Sequence, residues 1–189
     1  MPDRDWWAAL WPHPEEVLRA VGIRSGMTVL DLCCGDGYFT APLAKLVAGK
    51  VIALDIDCRM LDRAKAEVAR IGATVKRWIC ADALALASHV TEPADLVLIA
   101  NTFHGVPDQR GLARAVRSVL RPHGLFAVIN WYPANRVDTP VLGRTRGPPN
   151  EMRMSPESVA GIVEPAGFRA KEVVALLPYH YGAVFEALP

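Results

Sequence analysis

Residues 29–40 of the chain read VLDLCCGDGYFT, a short apolar run with one acid inside it, followed by a turn with two glycines. The apolar run predicts a buried parallel strand, because such strands are covered on both faces of the sheet. Gly35 and Gly37 allow the backbone to turn sharply and to approach a ligand where a Cβ atom would collide. A strand, a glycine turn and a helix in this order predict a binding site for a nucleotide-type cofactor.

The acid inside the predicted strand, Asp31, distinguishes between two kinds of cofactor. A dinucleotide site uses the pattern G-x-G-x-x-G, and Thr40 stands where its third glycine would be. A carboxylate beside a phosphate is electrostatically unfavourable, whereas a carboxylate beside the α-amino group of a methionine is favourable. Asp31 therefore favours S-adenosylmethionine over NAD, and an NAD-linked oxidoreductase remains an alternative.

Acids also follow the next two predicted strands. Asp55 ends an apolar run about 20 residues after Gly35, where a carboxylate can accept hydrogen bonds from both ribose hydroxyls. Asp82 lies just past a third strand predicted over residues 75–80, in a position to accept a hydrogen bond from the adenine amino group. Three acids at the ends of three successive strands form a pattern with few competitors.

On these motifs the chain resembles the class I S-adenosylmethionine-dependent methyltransferases, particularly the small-molecule branch that includes the ubiquinone and menaquinone C-methyltransferases. The resemblance runs from about residue 26 to residue 131. It implies an α/β fold with a doubly wound, Rossmann-like sheet of seven strands in the order 3-2-1-4-5-7-6, the last-numbered strand being antiparallel. It also implies metal-independent methyl transfer, with S-adenosylmethionine as cofactor and S-adenosylhomocysteine as product.

The resemblance assigns a set of residues to the cofactor. They are Asp31, Cys33, Gly35, Gly37, Asp55, Ile56, Asp82, Ala83 and Asn101. The set begins in the glycine-rich motif around the methionine part of the cofactor and continues at the ribose and the adenine face. Asp82 and Ala83 look like the pair that binds the adenine edge, and Asn101 is expected to contact the cofactor through its main chain.

The loop after the fourth predicted strand, residues 101–108, is the first place to look for substrate chemistry, since ligands of open α/β sheets bind at the carboxyl ends of strands. His104 in this loop is a candidate general base or acceptor-positioning residue. His180, between the last two predicted strands, is a second candidate catalytic residue. Both histidines have a structural alternative as turn residues, and methyl transfer from a sulfonium needs little acid-base help because positioning lowers the barrier.

Two further segments are candidates for the acceptor pocket. Trp6, Trp7 and Trp11 form either an aromatic cover over the crevice or the packing surface of an N-terminal helix. The segment after the fifth predicted strand, residues 132–153, is a long insertion of a kind that is often functional. Its arginines are Arg136, Arg144, Arg146 and Arg153. An arginine pair can bind a carboxylate or a phosphate, and a solvated loop with ordinary charges is the alternative.

The cysteines support a further alternative. All of them follow or end a predicted strand, and they are Cys33, Cys34, Cys58 and Cys80. A thiolate cluster on one rim of the sheet would favour a soft acceptor such as arsenite or another metalloid, although cysteines also pack as small hydrophobes. The spacing contains no C-x-x-C pair, which predicts neither a zinc site nor a disulfide framework and indicates a reducing cytoplasm.

The length of 189 residues, with 51% of them hydrophobic, predicts a single domain over residues 1–189. Within it we expect a helical cover (1–25), a cofactor-binding core (26–131), a substrate-side insertion (132–155) and a C-terminal helix and hairpin (156–189). Helices are predicted at about residues 14–21, 39–47, 59–71, 108–120 and 156–166.

Charge and hydropathy limit the expected partners. A net charge of +1, from 21 basic and 20 acidic residues, provides no field that would recruit nucleic acid or an anionic membrane. No apolar run reaches the ~20 residues of a membrane span, and the N-terminal residues lack the layout of a signal peptide. We therefore expect a cytoplasmic enzyme with a small-molecule methyl acceptor. A non-catalytic cofactor-binding module remains open, and the sequence does not indicate an oligomeric state.

Overall fold

Seven strands form the main sheet of the protein in a computed structural model that describes residues 4–189. The strands of this part of the chain are β1 (Val29–Leu32), β2 (Val51–Asp55), β3 (Arg77–Cys80), β4 (Ala94–Ala100), β5 (Leu120–Trp131), β6 (Pro140–Val141), β7 (Arg144–Thr145), β8 (Phe168–Leu176) and β9 (His180–Ala187). The main sheet has the order β3-β2-β1-β4-β5-β9-β8, and β6 pairs with β7 in a separate ribbon.

The topology confirms the predicted doubly wound sheet. β1 pairs in parallel with β2 and β4, and β2 with β3 and β4 with β5 are parallel as well. β9 runs antiparallel to both of its neighbours, β5 and β8. The strand of the main sheet that comes last in the chain is therefore the antiparallel one, as predicted. The β6–β7 ribbon is too short for a periodic signal, and the sequence did not predict it.

The helices of the described residues are α1 (Arg4–Leu10), α2 (Pro14–Ala20), α3 (Thr40–Leu46), α4 (Cys58–Arg70), α5 (Leu86–His89), α6 (Gln109–Val119) and α7 (Pro156–Val163). All the predicted helices are present, with ends that differ by about three residues at most. Side-chain caps explain why α4, α6 and α7 begin where they do, since Asp57, Asp108 and Ser155 each accept a backbone N–H of the first turn. Two helices had no predicted bounds: α1, of seven residues, lies within the predicted helical cover, and α5 has four residues.

Buried apolar side chains cover both faces of the sheet, as parallel strands require. Leu30 and Leu32 of β1 belong to the layer that contains side chains of α6 and α7. Val29 belongs to the opposite layer, with side chains of α1, α2 and α3. The strand order reverses between the paired strands β1 and β4, and the carboxyl ends of these two strands are therefore where a ligand is expected.

One prediction about the cysteines is wrong, because a disulfide bond joins Cys58 at the start of α4 to Cys80 at the end of β3. Their Cα atoms are 5.4 Å apart although 22 positions separate them in the chain. The parallel register pairs Asp55 with Cys80, which brings the end of β3 beside the turn that leads into α4. Sequence spacing carries no such information, so the inference of a reducing environment loses this support.

The predicted N-terminal cover, residues 1–25, contains the two short helices α1 and α2. Its first three residues lie outside the described part of the chain. Among residues 4–189, no helix has both the length and the apolar run that a membrane crossing requires.

Candidate active site

Two adjoining cavities lie at the carboxyl ends of β1 and β4, one of about 400 Å³ and one of about 80 Å³. The larger cavity is lined by Trp6, Trp7, Asn101, His104, Trp131, Arg136, Thr145, Arg146, Gly147 and Pro148. The smaller cavity is lined by Trp7, Asp31, Cys33, Cys34, Gly35, Asp36, Tyr38, Phe39, Ala100, Asn101 and Thr102. Trp7 and Asn101 belong to both sets, so the two cavities share a wall.

Asp31 is a buried acid at the smaller cavity, with 2% of its surface exposed. Its Oδ2 accepts a hydrogen bond of 2.6 Å from the Thr40 hydroxyl. Burial, with a smaller contribution from the nearby Asp55 carboxylate, raises the pKa of Asp31 to about 6 against the opposing effect of the Thr40 bond. The side chain is therefore a poorly solvated carboxylate that a cationic ligand would stabilise.

Asp55 connects the ends of β1 and β2. Its Oδ2 accepts a 2.8 Å hydrogen bond from the Gly35 amide, and its Oδ1 accepts one of 2.9 Å from the Asp57 amide. The carboxylate is buried beneath these two turns and does not itself line the smaller cavity. Sequence reasoning found Asp55 but missed this second role, because the bond to Gly35 spans two strands.

The residues predicted at the adenine face lie outside the lining of the smaller cavity, on the same edge of the sheet. Ile56 directly follows Asp55, and its side chain is 69% exposed. Asp82 follows β3, and its Oδ1 accepts a 2.9 Å hydrogen bond from the Leu84 amide. This bond caps a short 3₁₀ turn that begins at Ala83, whose side chain is buried.

The glycine turn has the backbone geometry that the sequence predicted. Cys33, Gly35 and Gly37 have φ values of 58°, 57° and 85°, in the left-handed region that favours glycine. The reason for Gly37 differs from the prediction, because a Cβ there would lie 2.7 Å from the Cα of Ala64 in α4. Gly37 therefore permits close packing of the turn on α4, whereas Gly35 lines the smaller cavity.

The cysteines do not form the thiolate cluster that metalloid methylation would require. Cys33 and Cys34 line the smaller cavity as free thiols. Burial, with the nearby Asp55 carboxylate, raises the pKa of Cys33 to about 12, and burial together with Asp31 also raises the pKa of Cys34. Both thiols are protonated at neutral pH, and Cys58 and Cys80 are joined in the disulfide.

The tryptophans of the N-terminal segment divide between the two predicted roles. Trp6 and Trp7 stack with ring centroids 4.9 Å apart and face the larger cavity, where Trp131 from β5 joins them. Trp11 packs elsewhere, with its indole Nε1 donating a 3.0 Å hydrogen bond to the Leu177 carbonyl. The aromatic cover thus consists of Trp6 and Trp7, while Trp11 fixes the N-terminal segment to the β8–β9 hairpin.

The arginines of the insertion also have different roles. Arg136 and Arg146 line the larger cavity, and the Arg146 guanidinium lies 5.4 Å from the centroid of the Trp6 ring. Arg153 is buried and holds the insertion together. It donates hydrogen bonds to the Ala134, Arg146 and Pro148 carbonyls and to the Thr139 hydroxyl. Arg144 does not line either cavity in the described part of the chain.

His104 faces the larger cavity and is held by one hydrogen bond, 2.8 Å from its Nδ1 to Oδ1 of Asn130. An amide oxygen can only accept, so Nδ1 carries the proton and Nε2 has a free lone pair. Burial lowers the pKa of His104, and the Arg153 charge lowers it further against the effect of the Asn130 bond. The imidazole is therefore neutral at pH 7 and able to accept a proton.

His180 is placed differently from the sequence prediction. Its side chain is fully buried among indole rings, with ring centroids 4.1 Å from Trp131 and 4.6 Å from Trp11. Burial lowers its pKa to about 3, and the Arg153 charge contributes to the shift. Among residues 4–189, the lining of the two cavities does not include His180, and this position favours the packing role that the sequence left open.

Residues that line the larger cavity carry buried polar atoms without a partner among the described residues, and one of them, Asn101, also lines the smaller cavity. Both side-chain amide atoms of Asn101 and the indole Nε1 of Trp6 make no hydrogen bond within the described residues. Asn101 has φ 56°, and its backbone N–H donates a 2.8 Å hydrogen bond to the Ile129 carbonyl, which fixes the backbone of this residue at the boundary between the cavities. Buried polar atoms of this kind normally have a partner, so they indicate a wall suited to a polar ligand.

The strand order of the main sheet, its antiparallel strand β9 and the acid-lined cavity behind the glycine turn are those of the class I, Rossmann-like methyltransferases. Residues 29–124 match the family described as "Methyltransferase domain", and the chain belongs to this family of S-adenosylmethionine-dependent methyltransferases. Among solved structures, the fold of this chain is similar to that of an S-adenosylmethionine-dependent methyltransferase from Aquifex aeolicus. The similarity covers 100% of both chains, with a TM-score of 0.79 and 27% sequence identity.

Two curated relatives are similar to about two thirds of this chain. The tRNA 5-carboxymethoxyuridine methyltransferase of Escherichia coli (strain K12) is 33% identical over 124 residues, which cover 65% of this chain and 46% of that protein. The demethylmenaquinone methyltransferase of Lactococcus lactis subsp. lactis (strain IL1403) is 31% identical over 127 residues, which cover 66% and 48%. The chain thus spans about half the length of the curated relatives it matches.

Proposed function

We propose that this protein transfers a methyl group from S-adenosylmethionine to a small molecule held in the larger cavity. The observation that carries the proposal is that Trp7 and Asn101 line both cavities. Two ligands, one bound in each cavity, would therefore lie next to each other at these residues. Holding two reactants in line and away from water can supply most of the acceleration of a transfer of this kind. Metal-independent catalysis by positioning is therefore part of the proposal.

The smaller cavity has the charge that the cofactor needs. When bound, S-adenosylmethionine supplies a methyl group on a positively charged sulfur, and it also carries a cationic amino group. Asp31 and Asp36 give the lining a negative character that suits both cations. Asp31 can accept a hydrogen bond from the amino group through the oxygen that Thr40 does not contact.

The adenosine part is assigned to the edge of the sheet beside this cavity. Asp55 can accept from the ribose hydroxyls through the lone pairs that its two backbone donors leave free, since each carboxylate oxygen accepts more than one hydrogen bond. The exposed side chain of Ile56 offers the adenine ring an apolar surface. Asp82 and Ala83 are assigned to the edge of the adenine.

A small molecule suits the larger cavity better than a nucleic acid does. The volume of about 400 Å³ lies within the range of ligand pockets, between the tryptophans of α1 and the insertion. The net charge of +1 supplies no general attraction for a phosphate backbone. A tRNA base is the second candidate acceptor, since the name of the Escherichia coli relative specifies tRNA.

Calorimetric titration with S-adenosylmethionine, S-adenosylhomocysteine and NAD tests the cofactor. We expect micromolar binding of the two adenosyl ligands and no binding of NAD. Asp31→Asn should weaken the adenosyl ligands, whereas Asp62→Asn, which changes an exposed acid on α4, should leave their affinity unchanged. Binding of NAD alone would overturn the proposal and favour an oxidoreductase.

Transfer of labelled methyl groups from S-adenosylmethionine tests the acceptor, with a small-molecule extract and total tRNA as parallel samples. Label in the small-molecule fraction supports the proposal, and label in tRNA alone favours the second candidate. Cofactor binding without transfer to either sample, in an assay where a known methyltransferase is active, would indicate a non-catalytic cofactor-binding module.

A further inference from the structure

We infer that the larger cavity takes a hydroxyarene that carries an oxyanion, with the oxyanion on Arg136 and Arg146, the ring against the tryptophans, and the hydroxyl on Nε2 of His104. The inference deepens the proposed function, on which it rests, by naming the class of acceptor. It follows from the charge, the shape and the proton-accepting group of this cavity.

The charge of the cavity lining favours an anion. Arg136 and Arg146 contribute two guanidinium groups, and among the described residues that line the cavity none is acidic. Arg153 lies directly behind, with its guanidinium 4.7 Å from the centroid of the Trp131 ring, and adds positive potential. The acids of the site line the smaller cavity instead, so the cationic cofactor and an anionic acceptor would each face the opposite charge. Guanidinium pairs bind carboxylate and phosphate groups with matching geometry.

The shape of the cavity favours a flat ring. Trp6, Trp7 and Trp131 supply three indoles, with the Trp6 and Trp131 ring centroids 6.0 Å apart and tilted by 55°. Aromatic rings pack well against such tilted faces. The unpartnered Nε1 of Trp6 is a donor in the same wall, and a polar substituent of the ring would satisfy it.

The position of His104 favours a hydroxyl as the methyl acceptor. Asn130 holds the Nδ1–H, which leaves the Nε2 lone pair for the ligand. In the transfer, the hydroxyl oxygen forms a bond to the methyl carbon as the carbon–sulfur bond breaks, and the electron pair of that bond stays on sulfur. The hydroxyl proton passes to Nε2 of His104. Charge balances because one positive charge leaves the sulfonium and one appears on the imidazole.

Binding of simple probes tests the anion site without any turnover. We would titrate para-hydroxybenzoate, para-hydroxyphenyl phosphate and the neutral para-hydroxybenzyl alcohol into the protein saturated with S-adenosylhomocysteine, and follow tryptophan fluorescence. We expect the two anions to bind roughly ten- to a hundredfold more tightly than the alcohol, as loss of a charge-assisted hydrogen bond implies. The stronger of the two anions identifies the oxyanion as carboxylate or phosphate.

Matched arginine variants locate the site. Arg136→Gln and Arg146→Gln should each remove most of the preference for the anions and leave the alcohol unaffected. Arg144→Gln, in the same insertion but away from both cavities, should behave like the wild type. Equal binding of anions and alcohol, or no binding of either anion at millimolar concentration, would overturn the inference. Failure of the proposed function is distinguishable, since S-adenosylhomocysteine would then not bind in calorimetry.

A chromophoric acceptor tests His104 directly. A nitrated para-hydroxybenzoate absorbs visible light only as its phenolate, and in the wild type we expect a phenolate band at a pH below the pKa of its free hydroxyl. The charged and titratable groups around His104 are Arg153 and His180 on its inner side and Arg136 and Arg146 in the cavity. His104→Gln leaves these groups in place and should weaken the band, because only the proton acceptor is removed while the arginines still favour the phenolate. A band of equal intensity in the variant would show that His104 is not the proton acceptor.

Discussion

The backbone amide of Gly35 donates a hydrogen bond of 2.8 Å to Oδ2 of Asp55, which ties the glycine turn after β1 to the acid that ends β2. The other oxygen of the same carboxylate accepts a bond of 2.9 Å from the Asp57 amide, just before α4. Asp55 therefore supports two turns of the site in addition to its proposed contact with the ribose, and a change at this position affects folding as well as binding.

Removal of the Asp55 carboxylate should lower both stability and cofactor affinity. In Asp55→Ala the two backbone donors lose their acceptor, so we expect the free energy of unfolding to fall by about 1–3 kcal/mol. The affinity for S-adenosylhomocysteine should fall by more than roughly tenfold because the ribose contact is lost as well. Denaturant unfolding and calorimetry measure the two effects. An Asp55→Ala protein as stable as the wild type would contradict the bridging role.

Asp31 should give cofactor binding a pH signature. Burial raises its pKa to about 6, with Asp55 adding to the shift and Thr40 opposing it. The amino group of a bound cofactor would stabilise the carboxylate and lower this pKa, so binding near pH 6 should release protons. Calorimetry of S-adenosylhomocysteine in two buffers of different ionisation enthalpy measures the release. The difference between buffers should vanish in Asp31→Asn, and its persistence there would assign the protons to another group.

The same shift has a consequence for the ligand-free protein. The folded state binds more protons than the unfolded state between the ordinary pKa of 3.8 and the raised value of about 6. The contribution of Asp31 to stability therefore decreases as the pH rises through this window. Asp31→Asn should remove this decrease, which denaturant unfolding at a series of pH values would show.

Two glycines of the insertion provide a matched test of the cavity wall. A Cβ on Gly147 would lie 2.8 Å from the Trp131 ring, whereas a Cβ on Gly143 meets nothing within 4 Å, and both residues have positive φ. Gly143→Ala thus measures the backbone strain alone. We expect Gly147→Ala to cost about 1–3 kcal/mol more, because it overpacks the wall, and to weaken the binding of para-hydroxybenzoate. Equal losses in the two variants would show that the Trp131 ring moves aside at no cost.

Reduction of the disulfide between Cys58 and Cys80 should destabilise the protein. The bond closes a loop between residues separated by 22 positions, and the chain-entropy model gives a stabilisation of about 3 kcal/mol for a loop of this length. Thermal unfolding with and without a reductant measures the effect. The double variant Cys58→Ser/Cys80→Ser should resemble the reduced wild type and no longer respond to the reductant. A response that persists in the double variant would implicate Cys33 or Cys34.

The strand, the glycine turn and the helix beside the smaller cavity could be predicted because their signals are local. Asp31 and Gly35 belong to one strand and one turn, and both line the smaller cavity, with Gly35 at φ 57° in the sharp turn that the glycines predicted. The strand order was implied by the family resemblance, and the observed order agrees with it. Gly37 was found for a partly different reason, as its contact with Ala64 lies on another element.

The acceptor side depended on contacts between distant parts of the chain. Trp6 meets Trp131 and Arg146, and no spacing in the sequence connects these residues. His104 and His180 looked alike in the sequence, yet one faces the larger cavity and the other is buried among indoles.

The sequence by itself thus determined the strand, the glycine turn and the helix beside the smaller cavity, because local hydrophobic periodicity and turn chemistry specify them. The resemblance that these motifs carry implied the fold and the family. The tertiary structure decided which arginines and which histidine face the larger cavity, and it decided the pairing of Cys58 with Cys80. These features depend on how the insertion and α1 pack over the carboxyl ends of the strands, and packing between residues far apart in the chain has no counterpart in local sequence pattern.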